Sequence, residues 1–310
     1  MNANLEDSME SIPEAVMREL LKECRTCGKH WRSILEDKRY PLLNRKVGWF
    51  TNERKGMFYK LVKPAKRKAF LDVGAGSGIV SVCLSEEYEK GYALESQESF
   101  AEFMEHRFLM DSIGNVDVLH WSALQIPLPD NSIDLAVLNG VLEWIPHADK
   151  TANPRQVQLR FLREVSRCLA PGGKIAIAIE NAWHHLQIKG FSAHGTARFV
   201  ALLPKPIGNI VNRLVKKRPY LEYIYSTFGY RKLLKEGGYG NCNIYVVVPD
   251  YYSPVDIYSF EKNALNEFFR KYHEGSRSKS MIKRLSDIVG VPYPLAFFEA
   301  AFYIETEKSL

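Results

Sequence analysis

The sequence predicts an α/β fold in which a doubly wound, mainly parallel sheet carries helices on both faces. Three observations predict it. The run Ala69-Phe70-Leu71-Asp72-Val73 has the apolar character of a buried strand and ends in Gly74-Ala75-Gly76-Ser77-Gly78, a sharp turn into a helix beginning near Ile79. Strand-like runs then recur at Tyr92 to Glu95, Val116 to Leu119, Ile133 to Leu138 and Ile175 to Ile179. Between the last two, the stretch from Pro154 to Leu169 sets Val157, Phe161, Val165 and Cys168/Leu169 on one stripe, with Asn153 as N-cap, Pro154 in the first turn and Gly172-Gly173 as the stop. Alternating strands and helices build a parallel sheet whose ligands sit at the carboxyl ends of the strands.

The glycine turn is the first place to look for a ligand, because glycines let one approach the backbone. A dinucleotide site needs its third glycine where Ile79 stands, and a phosphate loop needs Gly-Lys-Ser/Thr, which is absent. Asp72, two residues before the first glycine, would repel a pyrophosphate, so a cationic ligand is better served.

Asp72, Gly74, Gly76 and Gly78 resemble motif I of the class I S-adenosylmethionine (SAM)-dependent methyltransferases, acid-x-Gly-x-Gly-x-Gly. The family's other parts follow in order. Glu95, ending the second strand, suits a bidentate grip on ribose hydroxyls. Trp121-Ser122-Ala123 and Ile126 to Asp134 are similar to the segment that borders adenine, with Ser122 where the family usually has an Asp. Leu135 to Trp144 resembles the fourth strand and its turn, and Leu169 to Glu180 the fifth strand with its approach.

The resemblance implies a seven-stranded sheet with a closing antiparallel strand pair, near Asn243–Val248 and Ala296–Glu305. It implies SAM as cofactor and S-adenosylhomocysteine as product, held by Asp72, Gly74, Ala75, Gly76, Gly78, Glu95, Ser96, Ser122, Ala123, Asn139 and Gly140.

Around this core the chain divides into a helical cap (1–66), the cofactor-binding core (67–182), a basic helical lid (183–226) and the completion of the sheet (227–310). The last unit carries an inserted helical segment, 250–294, with helices near Phe260–Tyr272 and Lys279–Val289. In the cap, Trp49, Phe50, Phe58 and Tyr59 stand among basic residues, which fits either a cover over the ligand or a helix packed on the sheet. Cys24, Cys27 and His30 lack the fourth ligand of a zinc site and read as a helix face carrying thiols.

The chain's net charge of +6 is concentrated. Lys189, Arg198, Lys205, Arg213, Lys216, Lys217 and Arg218 stand in the lid against Glu222 alone, with apolar residues such as Ile207, Ile210 and Leu214 between them. This favours an anionic small acceptor and allows peripheral membrane contact, the bland alternative being a solvated basic face. Nucleic acid is a poorer fit, since no basic motif interleaved with aromatics accompanies the charge. An acidic polar start and five scattered cysteines lead us to expect a cytoplasmic protein without a disulfide framework.

The methyl acceptor is a hydroxyl or an amine; transfer to a hydroxyl benefits from a base at a strand's carboxyl end, whereas an amine needs only to be neutral. Candidates are Glu143 after the fourth strand, His184 after the fifth and His194 in the lid. A neutral imidazole is expected to take the proton, and no metal is expected, because no Asp cluster marks these strand ends. Ile179-Glu180-Asn181 with His194-Gly195-Thr196 resembles bacterial methyltransferases of surface-polysaccharide and glycolipid assembly, implying a sugar, nucleotide sugar or glycolipid acceptor. The alternatives are another small metabolite, RNA, or a SAM-binding module without catalysis.

Overall fold

Phe70, Leu71 and Val73 lie at the centre of the molecule because both faces of their strand are covered; every residue of β1 (Ala69–Val73) is buried. A computed structural model describes residues 12–37, 39–192, 194–273 and 294–309. The strands are β1, β2 (Lys90–Glu95), β3 (Val116–His120), β4 (Ile133–Asn139), β5 (Leu169–Glu180), β6 (Tyr239–Val248), β7 (Asp256–Ser259) and β8 (Ala301–Lys308). They form one sheet in the order β3-β2-β1-β4-β5-β8-β6-β7.

β3 to β5 in that order are mutually parallel, and β8 runs antiparallel to both β5 and β6, giving the closing pair. The sheet has eight strands where seven were expected. Asp256–Ser259, assigned from sequence to a helical insertion, pairs antiparallel with Tyr245–Val248 as an edge strand. Four residues are too few for period-2 alternation to stand out. The following helix runs Lys262–His273, close to expectation, whereas the helix expected at Lys279–Val289 lies outside the described residues.

Helix Pro154–Cys168 begins as its sequence dictates, Asn153 Oδ1 accepting from the Arg155 amide at 3.0 Å. It buries Val157, Phe161, Leu162 and Val165 on one sheet face beside Tyr230, Leu233 and Leu234 of helix Thr227–Glu236. Leu169 passes directly from this helix into β5, so Gly172 and Gly173 lie within an irregular strand start and do not terminate the helix. The opposite face packs Phe58, Tyr59, Ile79, Val80, Met104, Phe108 and Tyr303.

The cap has a core of its own, Met17, Leu20, Leu21, Trp31 and Phe50, set against Phe100 and Phe103 of helix Glu98–Met110. Cys24 is buried in it and Cys27 is exposed. Arg107 joins cap to core: wholly buried, it donates to the carbonyls of Phe50 at 3.0 Å and Ser77 at 2.7 Å, and its guanidinium lies 4.5 Å from the Trp31 ring centre. The cap therefore packs on the sheet and also reaches the glycine turn. Among the described residues no helix is long and apolar enough to cross a membrane.

Candidate active site

The glycine turn closes on the end of β2. Gly74 and Ala75 donate to the Leu94 carbonyl at 2.8 and 3.1 Å, and the Gly76 amide donates to Glu95 Oε2 at 3.0 Å. Glu95 Oε1 accepts from the Ser96 and Gln97 amides at 2.8 and 3.0 Å. A carboxylate fixed on both oxygens by backbone donors keeps lone pairs to spare for ribose hydroxyls. Gly76 has φ +55°, and a Cβ there would stand 2.9 Å from Trp49 Cη2. The cradle thus has the donors, the acid and the bare backbone that SAM needs.

Asp72 plays another part than its motif suggested. It is buried and its Oδ2 accepts from Ser81 Oγ at 2.7 Å, strapping β1 to the helix Ile79–Ser85; burial pushes its pKa up to about 7. Asp72 therefore ties the strand to the helix after the glycine turn. Ser122 is exposed, its Oγ accepting from the Leu124 amide at 3.3 Å, with Ala123 half-buried beside it. Ser96 is exposed at the end of β2.

Asn139 and Gly140 end β4 on the same sheet edge. Asn139 Oδ1 accepts from Tyr59 Oη at 3.0 Å, so the cap holds it. Gly140 has φ +69°, and a Cβ there would meet Tyr251 Oη at 2.5 Å. Trp49 and Tyr251 were not named as site residues. Lys55 links their segments: it donates to the Trp49 carbonyl at 3.2 Å and lies over both the Trp49 and Tyr252 rings. In the sequence Trp49 stands in an aromatic and basic mixture and Tyr251 in the Tyr/Pro-rich segment Pro249-Asp250-Tyr251-Tyr252, neither of which singles it out.

Beyond the ends of β4 and β5, Glu143, Glu180 and His194 converge, with donor atoms all within 4.8 Å of one another. His194 Nε2 is 2.8 Å from Glu180 Oε2, and their side chains are 2% and 8% exposed. Glu143 is fully buried, and both of its oxygens, with Glu180 Oε1, lack a hydrogen-bond partner among the described residues. His194 has φ +53°, uncommon for a side-chain-bearing residue, and stacks edge-on against Trp144 at 4.7 Å. Arg218 fixes this loop, donating to the His194 carbonyl at 2.9 Å and to Glu222 at 2.7 Å.

Burial and the Glu180 charge push the Glu143 pKa up to about 8. Burial works against the His194 imidazolium, but the charges of Glu180, Glu143 and Glu222 outweigh it and push its pKa up to about 9. His194 is thus charged near pH 7, which corrects the expectation of a neutral imidazole. The donor atoms of Glu143, Glu180 and His194 are spaced as metal ligands are, a grouping that the lack of an Asp cluster in the sequence did not anticipate.

His184 stands outside this group. It begins the short helix His185–Ile188 against the His185 ring, and burial pushes its pKa down to about 4. Among the lid cations, Lys205 is half-buried with its Nζ donating to the Ile224 carbonyl at 2.7 Å, and Arg218 is paired with Glu222, so both are engaged within the lid. A hollow of about 640 Å³ opens beside His30, Asp111 and Asn115, at the amino-terminal edge of the sheet and away from this chemistry.

Residues 71–177 match a family described as a methyltransferase domain. The chain is 28% identical over 120 residues to the demethylmenaquinone methyltransferase of Listeria monocytogenes, covering 38% of this chain and 46% of that protein. It is 29% identical over 111 residues to the enzyme of the same name from Geobacillus kaustophilus, covering 35% and 43%. The chain thus spans less than half the length of these relatives. Among solved structures, a SAM-dependent methyltransferase of Thermotoga maritima described as a possible histamine N-methyltransferase superposes with a TM-score of 0.49 at 17% identity, over 89% of this chain and 99% of that one. A phosphoethanolamine N-methyltransferase of Haemonchus contortus, holding S-adenosylhomocysteine, gives 0.49 at 13% identity over 84% and 53%. Over residues 71–177 the chain is thus similar to a methyltransferase domain.

Proposed function

We propose that the chain transfers a methyl group from SAM to a hydroxyl of a small acceptor, using the Glu143–Glu180–His194 cluster as its base. The observation that carries this is the buried cluster itself, just past β4 and at the end of β5, with carboxylate oxygens that lack a hydrogen-bond partner among the described residues. Bound on Gly74–Gly78 and Glu95, SAM supplies an electrophilic methyl group on a sulfonium sulfur. Glu143, both of whose oxygens lack a hydrogen-bond partner among the described residues, would take the hydroxyl proton of an acceptor to which SAM would supply its methyl group. His194 and Glu180 balance the charge and set the pKa of Glu143.

The family match ends at residue 177, before the lid, so it bears on the cofactor half of the site. For the acceptor, the resemblance at Ile179–Asn181 and His194–Thr196 favours a sugar or glycolipid hydroxyl. The name of the curated relatives favours a quinone-type acceptor as a second reading.

The test is S-adenosylhomocysteine release by the purified chain offered nucleotide sugars, lipid-linked sugars and demethylmenaquinone in turn, with and without a chelator. Turnover with a hydroxylated acceptor, indifferent to the chelator and lost in Glu143→Gln, is expected. Turnover that survives in Glu143→Gln overturns the base, and SAM binding without turnover on any acceptor overturns the enzyme reading.

A further inference from the structure

The helix Lys205–Lys216 is built inside out. Its buried residues are Gly208 and Asn212. Asn212 Oδ1 accepts from the Ala197 amide at 2.8 Å, while its Nδ2 donates to the carbonyls of Arg218 at 3.1 Å and Pro219 at 3.2 Å. Gly208 lies so close to the Val200 carbonyl that a Cβ would stand 3.0 Å from it. Lys205 also turns inward, its Nζ 5.2, 5.2 and 5.1 Å from the ring centres of Tyr220, Tyr223 and Tyr225.

With these groups pinned inward, the aliphatic side of the helix faces out: Ile207, Ile210, Leu214 and Val215 are 49%, 59%, 67% and 62% exposed. Their spacing of three, four and one residues makes one stripe. An ordinary surface helix turns such a stripe to the core and its Asn to water. The hydrogen bonds of Asn212 and the tyrosine cage of Lys205 hold this one the other way.

The rim of the stripe is cationic. Arg198, Arg213, Lys216 and Lys217 are exposed and form no ion pair among the described residues, and no acid occurs between 205 and 218. A second copy meeting the patch about a two-fold axis would set these cations against themselves. An anionic lipid surface meets both features, taking apolar side chains into the acyl boundary and cations at the headgroups.

We propose that the lid docks on an anionic lipid bilayer, the helix Lys205–Lys216 lying in the interface plane with Ile207, Ile210, Leu214 and Val215 in the acyl boundary and Arg213, Lys216 and Lys217 among the headgroups. This goes beyond the methyl-transfer reading and does not depend on it. Arg218, two residues past the helix, holds the His194 carbonyl, so the docked face adjoins the catalytic cluster.

Vesicle flotation of the full chain tests it, with phosphatidylcholine alone and with phosphatidylglycerol added. The chain should float with the anionic vesicles only, and added salt should reduce this. Ile210→Glu with Leu214→Glu should lower the bound fraction at least about tenfold. Lys216→Glu with Lys217→Glu should lower it by roughly fivefold for each lysine. Circular dichroism of each variant should match the parent, since all four side chains are exposed. A parent chain that stays in solution with both vesicle types overturns the proposal, as does equal flotation of the Ile210→Glu/Leu214→Glu variant. So does light scattering that shows a dimer which this variant dissolves, because the face then belongs to a second copy.

Discussion

His194 Nε2 lies 2.8 Å from Glu180 Oε2 in a site where, among the described residues, neither carboxylate oxygen of Glu143 has a hydrogen-bond partner. The lid supplies the imidazole, and the turn after β4 and the end of β5 supply the acids, so the cluster exists only when the lid is seated.

The rate should therefore rise with pH. Glu143 and His194 are both held above their ordinary values, at about 8 and about 9, so the base is freed only as the pH climbs through that range. We expect kcat/KM to increase from pH 7 toward pH 9. Glu143→Gln should lower kcat by about 10²-fold or more and flatten the profile, with SAM affinity unchanged. A profile already flat from pH 7 to 9 in the parent chain would remove the cluster from the chemistry.

The same group links stability to pH. Folded Glu143 keeps its proton up to about pH 8, whereas the unfolded chain loses it near the ordinary value of 4.5. Its contribution is whole below the unfolded value and is lost as pH rises through the folded one. The Tm difference between Glu143→Gln and the parent should therefore shift in favour of the variant between pH 5 and pH 8. Thermal melts at matched ionic strength measure it, and a constant difference would mean that Glu143 is ionised in the fold.

Glu95 is predicted to carry cofactor affinity. Charge-assisted hydrogen bonds contribute about 1.5–3 kcal/mol each, so Glu95→Ala should weaken SAM binding at least roughly tenfold by calorimetry. Because Glu95 also holds the amides of Gly76, Ser96 and Gln97, Glu95→Gln serves as the control. It keeps one oxygen, enough for the Ser96 and Gln97 amides but not for the Gly76 amide on the other side, and should retain more of the fold than Glu95→Ala while losing affinity.

Arg107 should matter to stability without touching a ligand. Its removal leaves the Phe50 and Ser77 carbonyls and the Asp111 carboxylate short of a donor in a buried setting. Arg107→Ala should cost about 3–5 kcal/mol, read as a lowered denaturant midpoint. An unchanged midpoint would show that cap and core do not depend on this link.

Much of the core was legible because its signals are local. The glycine turn, the Asn153 cap and the stripe of Val157, Phe161 and Val165 each carry their instruction within a few residues. The site was legible only in part. Glu143 and His194 were named from their place in the chain, but their meeting with Glu180 depends on a lid fold that no periodicity encodes. Tyr251 reaches Gly140 from more than a hundred residues away, and Trp49 reaches Gly76 from a cap with its own core. The protonation of His194 was misread for the same reason: its pKa follows from three carboxylates brought together only in space. β7 escaped notice because an edge strand of four residues is specified by its partner β6 more than by its own sequence.

Gly76 and Trp49 offer a way to separate ligand binding from packing. An alanine at 76 meets two obstacles, a φ of +55° and the Trp49 ring 2.9 Å from its Cβ. The backbone term costs about 1–2 kcal/mol wherever the ring lies, whereas the ring term vanishes once the tryptophan is removed. In stability, Gly76→Ala and Trp49→Ala should therefore couple by about 0.5–3 kcal/mol, the double variant melting above the sum of the single effects. SAM affinity should behave differently. If the cofactor lies against Gly76, the added methyl obstructs it with or without Trp49, and the double variant should bind as poorly as Gly76→Ala alone. Recovery of affinity in the double variant would mean that Gly76 is bare to admit the tryptophan, and the cofactor contact would then rest on Glu95 and the remaining glycines.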